Sequence, residues 1–376
     1  MQSVVEEIKK LRGNRPVNID SHNSNRYRLV CYEDDGTKTA YYFSTPIYNN
    51  TTRRMITPKF SMEGQVFRMM GSNAHITVSD LLLLENAEGA VSVELSEKVF
   101  TVSNGKLQCG EYTVFPTVNG VAISVNVSGE NPKDFTLEIG QPHLPTRSND
   151  RCFAVMKEEF RPLCVISCIG ATNFTGNVIA PARMSYQKLS DKKYRISFAS
   201  TSSTAHKILL EINMYENKLF QDTTVESANP TTNNVFGSVG FIGNSSLYGE
   251  QWLYTRLDNS RMPEMMDKRV QKVILHIPKL NRNNMQLGAF KTTARFCSFG
   301  SNWDNKILDG ELVIDSQETE EYHRFDITAL LLDSRTRTLS KSEGLILKSK
   351  SKDNDFSVVA TADSCWAPLI VEIKYR

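Results

Sequence analysis

Long apolar runs are what this chain most plainly lacks. Its most apolar piece is the short stretch at residues 81–84, and a membrane-spanning helix needs eighteen or more such residues. No membrane insertion is expected. An excess of one charge is missing too: 44 Lys+Arg against 42 Asp+Glu leave a formal net charge of +2. That excludes partners recruited by charge alone, nucleic acid among them. Runs of helix-forming Ala, Leu, Glu and Lys are nearly absent, as are low-complexity tracts and repeats of fixed period. The seven cysteines, Cys31, Cys109, Cys152, Cys164, Cys168, Cys297 and Cys365, form no paired framework. Their odd number leaves a free thiol in a monomer, which fits synthesis in a reducing cytoplasm. Cys164 and Cys168 fall on one strand face of an apolar run and are expected in a core, since a metal site wants four ligands at matched spacing.

Enzyme signatures are missing as well. His22, His75, His143, His206, His276 and His323 stand apart, with no His-Glu-x-x-His, Gly-x-Ser-x-Gly or Cys-His arrangement. Gly237, Gly240 and Gly243 match no nucleotide-loop pattern and are expected as strand and turn glycines. The carboxylates Asp34-Asp35 and Glu318, Glu320 and Glu321 are expected in turns and solvated edges. No catalytic residue, metal or cofactor is assigned.

What is present is short-period alternation. Only residues 3–11 have helical spacing, with Val4, Ile8 and Leu11 on one stripe and Gly13 and Pro16 ending it. A helix this short is marginal alone and needs a surface, on its own chain or on another subunit. Strand-like segments follow at 27–32, 39–44, 74–78, 91–95, 112–115 and 121–127. Turns at Asp34-Asp35-Gly36, Asn49-Asn50, Asn104-Gly105 and Asn119-Gly120 lie between them, and the two Asn-Gly pairs are expected to supply positive φ angles. Residues 129–150, rich in Gly, Pro and Asn around one possible strand at 135–139, resemble a connection between domains. The fold class expected is mainly β, with two or three antiparallel β-sandwich domains and a short N-terminal helix. Its parts are an arm at 1–17, a β domain at 18–149, a region at 150–218 that forms a small domain or completes the first sandwich, and a sandwich at 219–376.

The last of these carries an ordered set of motifs. Asp222-Thr223-Thr224-Val225-Glu226-Ser227 leads to an Asn-rich turn through Asn229, Pro230 and Asn233, then Phe241-Ile242-Gly243 and the strand from Trp252 to Asp258. A strand at 270–277, the turn Ser301-Asn302-Trp303-Asp304-Asn305, the step Phe325-Asp326-Ile327-Thr328, a strand at 344–347 and a closing strand at 368–375 complete it. This order resembles the DNRLRE-domain proteins, with Leu257 where the family usually has an aromatic. The resemblance implies a jelly-roll-like sandwich of extracellular and surface proteins, carbohydrate-binding or structural, without catalytic residues. From the residues themselves, Phe325 and Ile327 share one strand face, and Asp326 is placed to cap the turn at 329–332. The closing strand shows one dry face and one mostly wet face.

All three tryptophans, Trp252, Trp303 and Trp366, lie in this region, and flat aromatic faces stack on sugar rings. Trp252 sits in an apolar strand pattern and is expected in the core. Trp303, Asn302, Asp304 and Trp366 are the candidate ligand-binding residues, although Asn and Asp also populate turns for conformational reasons. Lys348, Lys350 and Lys352 alternate along one strand face, expected to be solvated. Met1 to Arg12 carries Glu6, Glu7, Lys9 and Lys10 where a secretory signal would be apolar. The expectation is therefore a non-enzymatic structural or adhesive protein made without a Sec signal, ending on a phage particle, an injection device or a cell-surface structure. Its partners are copies of itself, assembly subunits or polysaccharide. The alternatives are a stand-alone carbohydrate-binding protein and a polysaccharide-degrading enzyme.

Overall fold

The computed structural model describes residues 4–49, 54–63, 66–70, 74–127, 132–215, 219–333, 335–336, 338–339, 344–351 and 355–376. Ser3, Asn50, Gly129, Asn131 and Lys352 of the sequence patterns lie outside them. The fold is mainly β, built of several antiparallel sheets with one short N-terminal helix. Among the described residues no helix is long and apolar enough to cross a membrane.

Two compact units divide the chain. One, the inserted unit, comprises residues 56–217 and 236–238; the other, the terminal unit, comprises 2–55, 218–235 and 239–376. In the inserted unit an eight-stranded and a nine-stranded antiparallel sheet face each other across one apolar core. Leu82, Leu84, Val91, Val93, Phe135, Leu137, Ile196 and Phe198 enter it from one sheet, and Val114, Ile123, Ile166, Leu210 and Ile212 from the other. Alternation explains the pairing: in the Lys193–Ser200 strand Tyr194, Ile196 and Phe198 point inward while Arg195 faces solvent. Region 150–218 completes this sandwich, because the Lys207–Met214 strand pairs with both Gly120–Asn126 and Arg161–Thr172. The connection expected at 129–150 contains the Lys133–Ile139 strand, which lies inside the eight-stranded sheet.

Cys164 and Cys168 are buried in the same core, where burial pushes both thiols up to about 12. Asn104 and Gly105 both take positive φ and join paired strands, as a tight hairpin requires. Asn119-Gly120 differs, since neither residue has positive φ. Gly120 is needed instead for close approach, because a Cβ there would run into the carbonyl of Ile212 on the neighbouring strand.

The terminal unit stacks two seven-stranded antiparallel sheets. The first runs Asn18–Ile19, Arg28–Tyr32, Lys38–Phe43, Ile370–Tyr375, Val270–Pro278, Tyr322–Asp326, Gln317–Glu318. The second runs Asp309–Asp315, Leu287–Thr292, Leu345–Ser349, Gly249–Leu257, Val239–Ser245, Phe356–Ala360, with Phe220–Glu226 also paired to Gly249–Leu257. Between them lie Ala40, Tyr42, Leu275, Ile277, Phe325, Val371 and Ile373 from the first sheet and Ile242, Leu253, Leu287, Leu347 and Val359 from the second. The expected C-terminal sandwich is thus not built from residues after 219 alone. Lys38–Phe43 pairs with Ile370–Tyr375 in unbroken register from Lys38↔Tyr375 to Phe43↔Ile370, which brings residues 18–43 into it.

The N-terminal helix, Val4–Arg12, packs on its own chain. Val4 and Ile8 join Leu29, Cys31, Tyr41, Phe43 and Ile370 in a second cluster on the outer face of the first sheet. Its polar side is tied down as well, by Glu7 to the Tyr322 hydroxyl, Lys10 to Glu321 at 2.6 Å and Arg12 to Glu33 at 2.7 Å. Helix and sheet therefore dry the face of the last strand expected to be wet: Ile370 is fully buried and Glu372 only 7% exposed. Phe325 and Ile327 do share the core face. Asp326 accepts the N–H of Thr328 at 3.2 Å, although the residue preceding the short Thr328–Leu331 helix is Ile327.

A fragment of residues 219–376 loses the strand beside Ile370–Tyr375 and the cover over Ile370, and is expected to aggregate or remain unfolded. Far-UV circular dichroism during heating checks this; a cooperative melt of the fragment near that of the whole chain would contradict it.

Candidate functional site

Trp303 lies in the loop between the Leu287–Thr292 and Asp309–Asp315 strands, and that loop folds over the outer face of the second sheet. Phe296, Trp303 and Ile307 from the loop pack with Val225, Trp252, Tyr254, Phe290 and Ile346 of the sheet in a satellite apolar cluster. Asn233 holds the loop in place by donating to the carbonyls of Ser298 and Ser301, both at 2.7 Å. The backbone N–H of Asp304 donates to Pro230 at 3.1 Å. Asn302 and Asn305 each accept the other's backbone N–H, at 3.1 and 2.8 Å, and this closes the tight turn that carries Trp303. One role of Asn302 is thus conformational. Asp304 is exposed and Trp303 half-buried, so part of the tryptophan is open to solvent.

Two lysines intercalate with the rings. Lys306 Nζ is 4.1 Å from the Trp303 centroid and 5.7 Å from that of Trp252. Lys348 Nζ lies 4.8 Å from Trp252 and 4.3 Å from Phe290. The two indoles are 5.2 Å apart at 57°, giving a row Phe290, Lys348, Trp252, Lys306, Trp303. Ammonium groups at these distances from ring faces are attracted by the ring quadrupoles, by about 0.5–1 kcal/mol each at exposed positions. Trp252 is almost buried, as expected, and its Nε1–H donates to Glu250 at 2.7 Å. The lysine ladder is solvated only in part: Lys348 is half-buried and pairs with Asp309 at 2.6 Å, while Lys350 is exposed and pairs with Asp315 at 2.8 Å. Both carboxylates belong to the edge strand Asp309–Asp315, two strands away across Leu287–Thr292, a long-range pairing that alternation alone does not reveal.

The structure brings together Asn302, Trp303 and Asp304, and leaves Trp366 out. Trp366 is half-buried in the turn between the Phe356–Ala360 and Ile370–Tyr375 strands and is not part of the Trp252–Trp303 cluster. Lys306, Lys348 and Phe290 were not among the expected site residues. Lys348 had a signal in its alternating lysines; Lys306, three residues after Trp303 in a loop, had none.

Two histidines expected to be isolated sit on adjacent strands, where Ile277 pairs with His323 and His276 with Arg324. His323 faces the core. The Ser357 hydroxyl lies 2.7 Å from its Nε2, and its Nδ1 lies 2.6 Å from Glu318, whose other oxygen takes Lys279 Nζ at 3.1 Å. Glu318 is therefore part of an internal network rather than a solvated edge. A Ser-His-Glu chain has the connectivity of a nucleophilic triad, yet both Ser357 and His323 are fully enclosed. What the chain accomplishes in this state is to satisfy buried polar groups and link the two sheets. His276 faces the other way, with Nε2 3.1 Å from Glu372, which Arg15 also approaches at 3.5 Å. Burial lowers the pKa of both histidines, more than their carboxylate partners raise it. Burial pushes Glu318 and Glu372 upward, but the hydrogen bonds from His323 and His276 hold them below the usual range.

No protein-family model matches this chain, and no curated protein matches it.

The pH dependence has a definite sign. The folded histidines are neutral below their ordinary value of 6.5, while the unfolded chain takes protons there, so their stabilising contribution is complete above 6.5 and is lost as pH falls from 6.5 through the folded values. Depressed Glu318 and Glu372 act in the same direction below their ordinary 4.5. The melting temperature is expected to drop between pH 7.5 and 5.5, and His323→Gln to flatten the drop. Scanning calorimetry across that range checks it; a melting temperature that rises on acidification would contradict it.

Proposed function

We propose that the protein is a non-catalytic binding protein whose terminal sandwich attaches to a glycan at the Trp303 rim, as an adhesive or structural part of a larger extracellular or surface assembly. The observation that carries this reading is the aromatic row on the outer face of the second sheet, ending in a half-exposed indole on a braced loop. A sugar ring offers C–H groups to such a face and hydroxyls to Asp304 and the Asn302 amide. Lys306 would have to give way, which costs its hydrogen bond to the Trp303 carbonyl at 3.1 Å and its ring contacts, but among the described residues no carboxylate pairs with it. The braced loop matters because a preorganised platform loses little entropy on binding. The resemblance of residues 220–376 to DNRLRE-domain proteins supports the same class of function. A serine-hydrolase reading has one observation in its favour, the Ser357, His323, Glu318 chain, but the enclosed hydroxyl offers a substrate no approach.

Affinity gel electrophoresis against a panel of soluble polysaccharides tests the proposal. At least one polysaccharide is expected to retard the protein, and Trp303→Ala to weaken that retardation tenfold or more at a stability cost of about 2 kcal/mol, with Trp366→Ala unchanged. Retardation by none of the panel, or equal retardation of Trp303→Ala, would overturn it. Hydrolysis of p-nitrophenyl acetate lost in Ser357→Ala would favour the hydrolase instead.

A further inference from the structure

A cavity of about 360 Å³ opens in the terminal unit where the N-terminal helix meets the strand pair at 317–326, between Lys10 and Leu11 on one side and Glu320, Glu321, Tyr322 and Arg324 on the other. Its volume is in the range of small-molecule sites. Most of its polar walls are already satisfied: Lys10 pairs with Glu321, and the Tyr322 hydroxyl bonds Glu7. Arg324 is different. Half-buried, with Nε out of contact with water and unpartnered, it makes no side-chain hydrogen bond or ion pair among the described residues, although its charge helps to hold the Glu372 carboxyl below the usual range. A guanidinium carries five donors in a planar fork, and leaving the buried Nε–H unmatched is costly.

Glu320 is the second unmatched group. Among the described residues its one ion pair is to Arg282 at 3.5 Å, with the two side chains 75% and 70% exposed, an arrangement contributing little. The lining thus holds two cations, Lys10 and Arg324, and two anions, Glu320 and Glu321. A dianion such as phosphate finds no net positive charge here. A ligand with one carboxylate and one ammonium finds a partner for each, and Leu11 and Tyr322 add apolar surface to the lining.

We propose that this cavity binds a small zwitterion of the α-amino-acid class with an apolar side chain. The carboxylate takes the Arg324 fork, a geometry suited to two parallel charge-assisted hydrogen bonds. The ammonium takes Glu320, and the side chain lies against Leu11 and Tyr322. Because Leu11 belongs to the helix and Arg324 to the sheet, an occupied cavity joins the two and raises the melting temperature by mass action.

Isothermal titration of the full chain with L-leucine, with thermal unfolding in parallel, tests this. Saturable binding at one site is expected, weakened tenfold or more in both Arg324→Gln and Glu320→Gln and unchanged in Trp303→Ala. 4-Methylpentanoate, which lacks the ammonium, and 3-methylbutylamine, which lacks the carboxylate, are expected to bind at least tenfold more weakly than L-leucine, and inorganic phosphate not at all. Glu320 is exposed, so its variant folds even if the arginine variant does not. Absence of binding by both L-leucine and L-phenylalanine, binding indifferent to Glu320→Gln, or phosphate or 4-methylpentanoate binding as tightly as L-leucine would overturn the proposal.

Discussion

The pairing of Lys38–Phe43 with Ile370–Tyr375 is the constraint on which the terminal unit depends. Six consecutive residue pairs join segments more than three hundred residues apart, and the sheet they complete supplies one wall of the core. Without the N-terminal strands the closing strand would present an open edge, and unpaired edges template aggregation. The same pairing sets Tyr41 beside Glu372, making the surface on which the N-terminal helix rests. An insertion as long as residues 56–217 is tolerated because loop-closure entropy grows only slowly with length, and because the inserted residues bury a core of their own.

Both faces of the first sheet carry a histidine–carboxylate pair, and each carboxylate is also approached by a cation, Arg15 at Glu372 and Lys279 at Glu318. Removing the carboxylate from such a buried set would leave its histidine and its cation without their shared acceptor, which is costlier than losing either donor. The second sheet is organised otherwise. Its outer face is covered by a loop whose aromatic residues interleave with lysines, and polar ties from Asn233 and Pro230 fix that loop. A rigid sheet behind a braced loop is a suitable platform for recognition by shape and stacking, with no need of an ionisable cleft.

Much of this was legible locally. The strands Arg28–Tyr32 and Lys38–Phe43 fall on the segments expected at 27–32 and 39–44, and the Asn104-Gly105 hairpin follows its turn chemistry. The strands Lys59–Glu63 and Val66–Met70 escaped notice because Met, Arg and Glu interrupt their pattern. Leu82–Asn86 escaped because Leu81 and Leu83 beside Leu82 and Leu84 conceal the period of two. Nothing in residues 28–43 names 370–375 as a partner, and contacts of that sequence separation leave no local trace. Ile370 and Glu372 read as a wet face for the same reason: what covers them comes from the other end of the chain. At the candidate site the Asn302–Asp304 turn and Trp303 were visible as residue types, whereas Lys306, Lys348 and Phe290 became neighbours only through sheet order.

Native-state hydrogen exchange tests most directly whether the two chain ends form one cooperative sandwich. Amides of Lys38–Phe43 are expected to exchange with the same opening free energy and the same denaturant dependence as those of Val270–Pro278 and Ile370–Tyr375. Exchange of 38–43 through a separate, low-energy opening that leaves 270–278 protected would contradict the account.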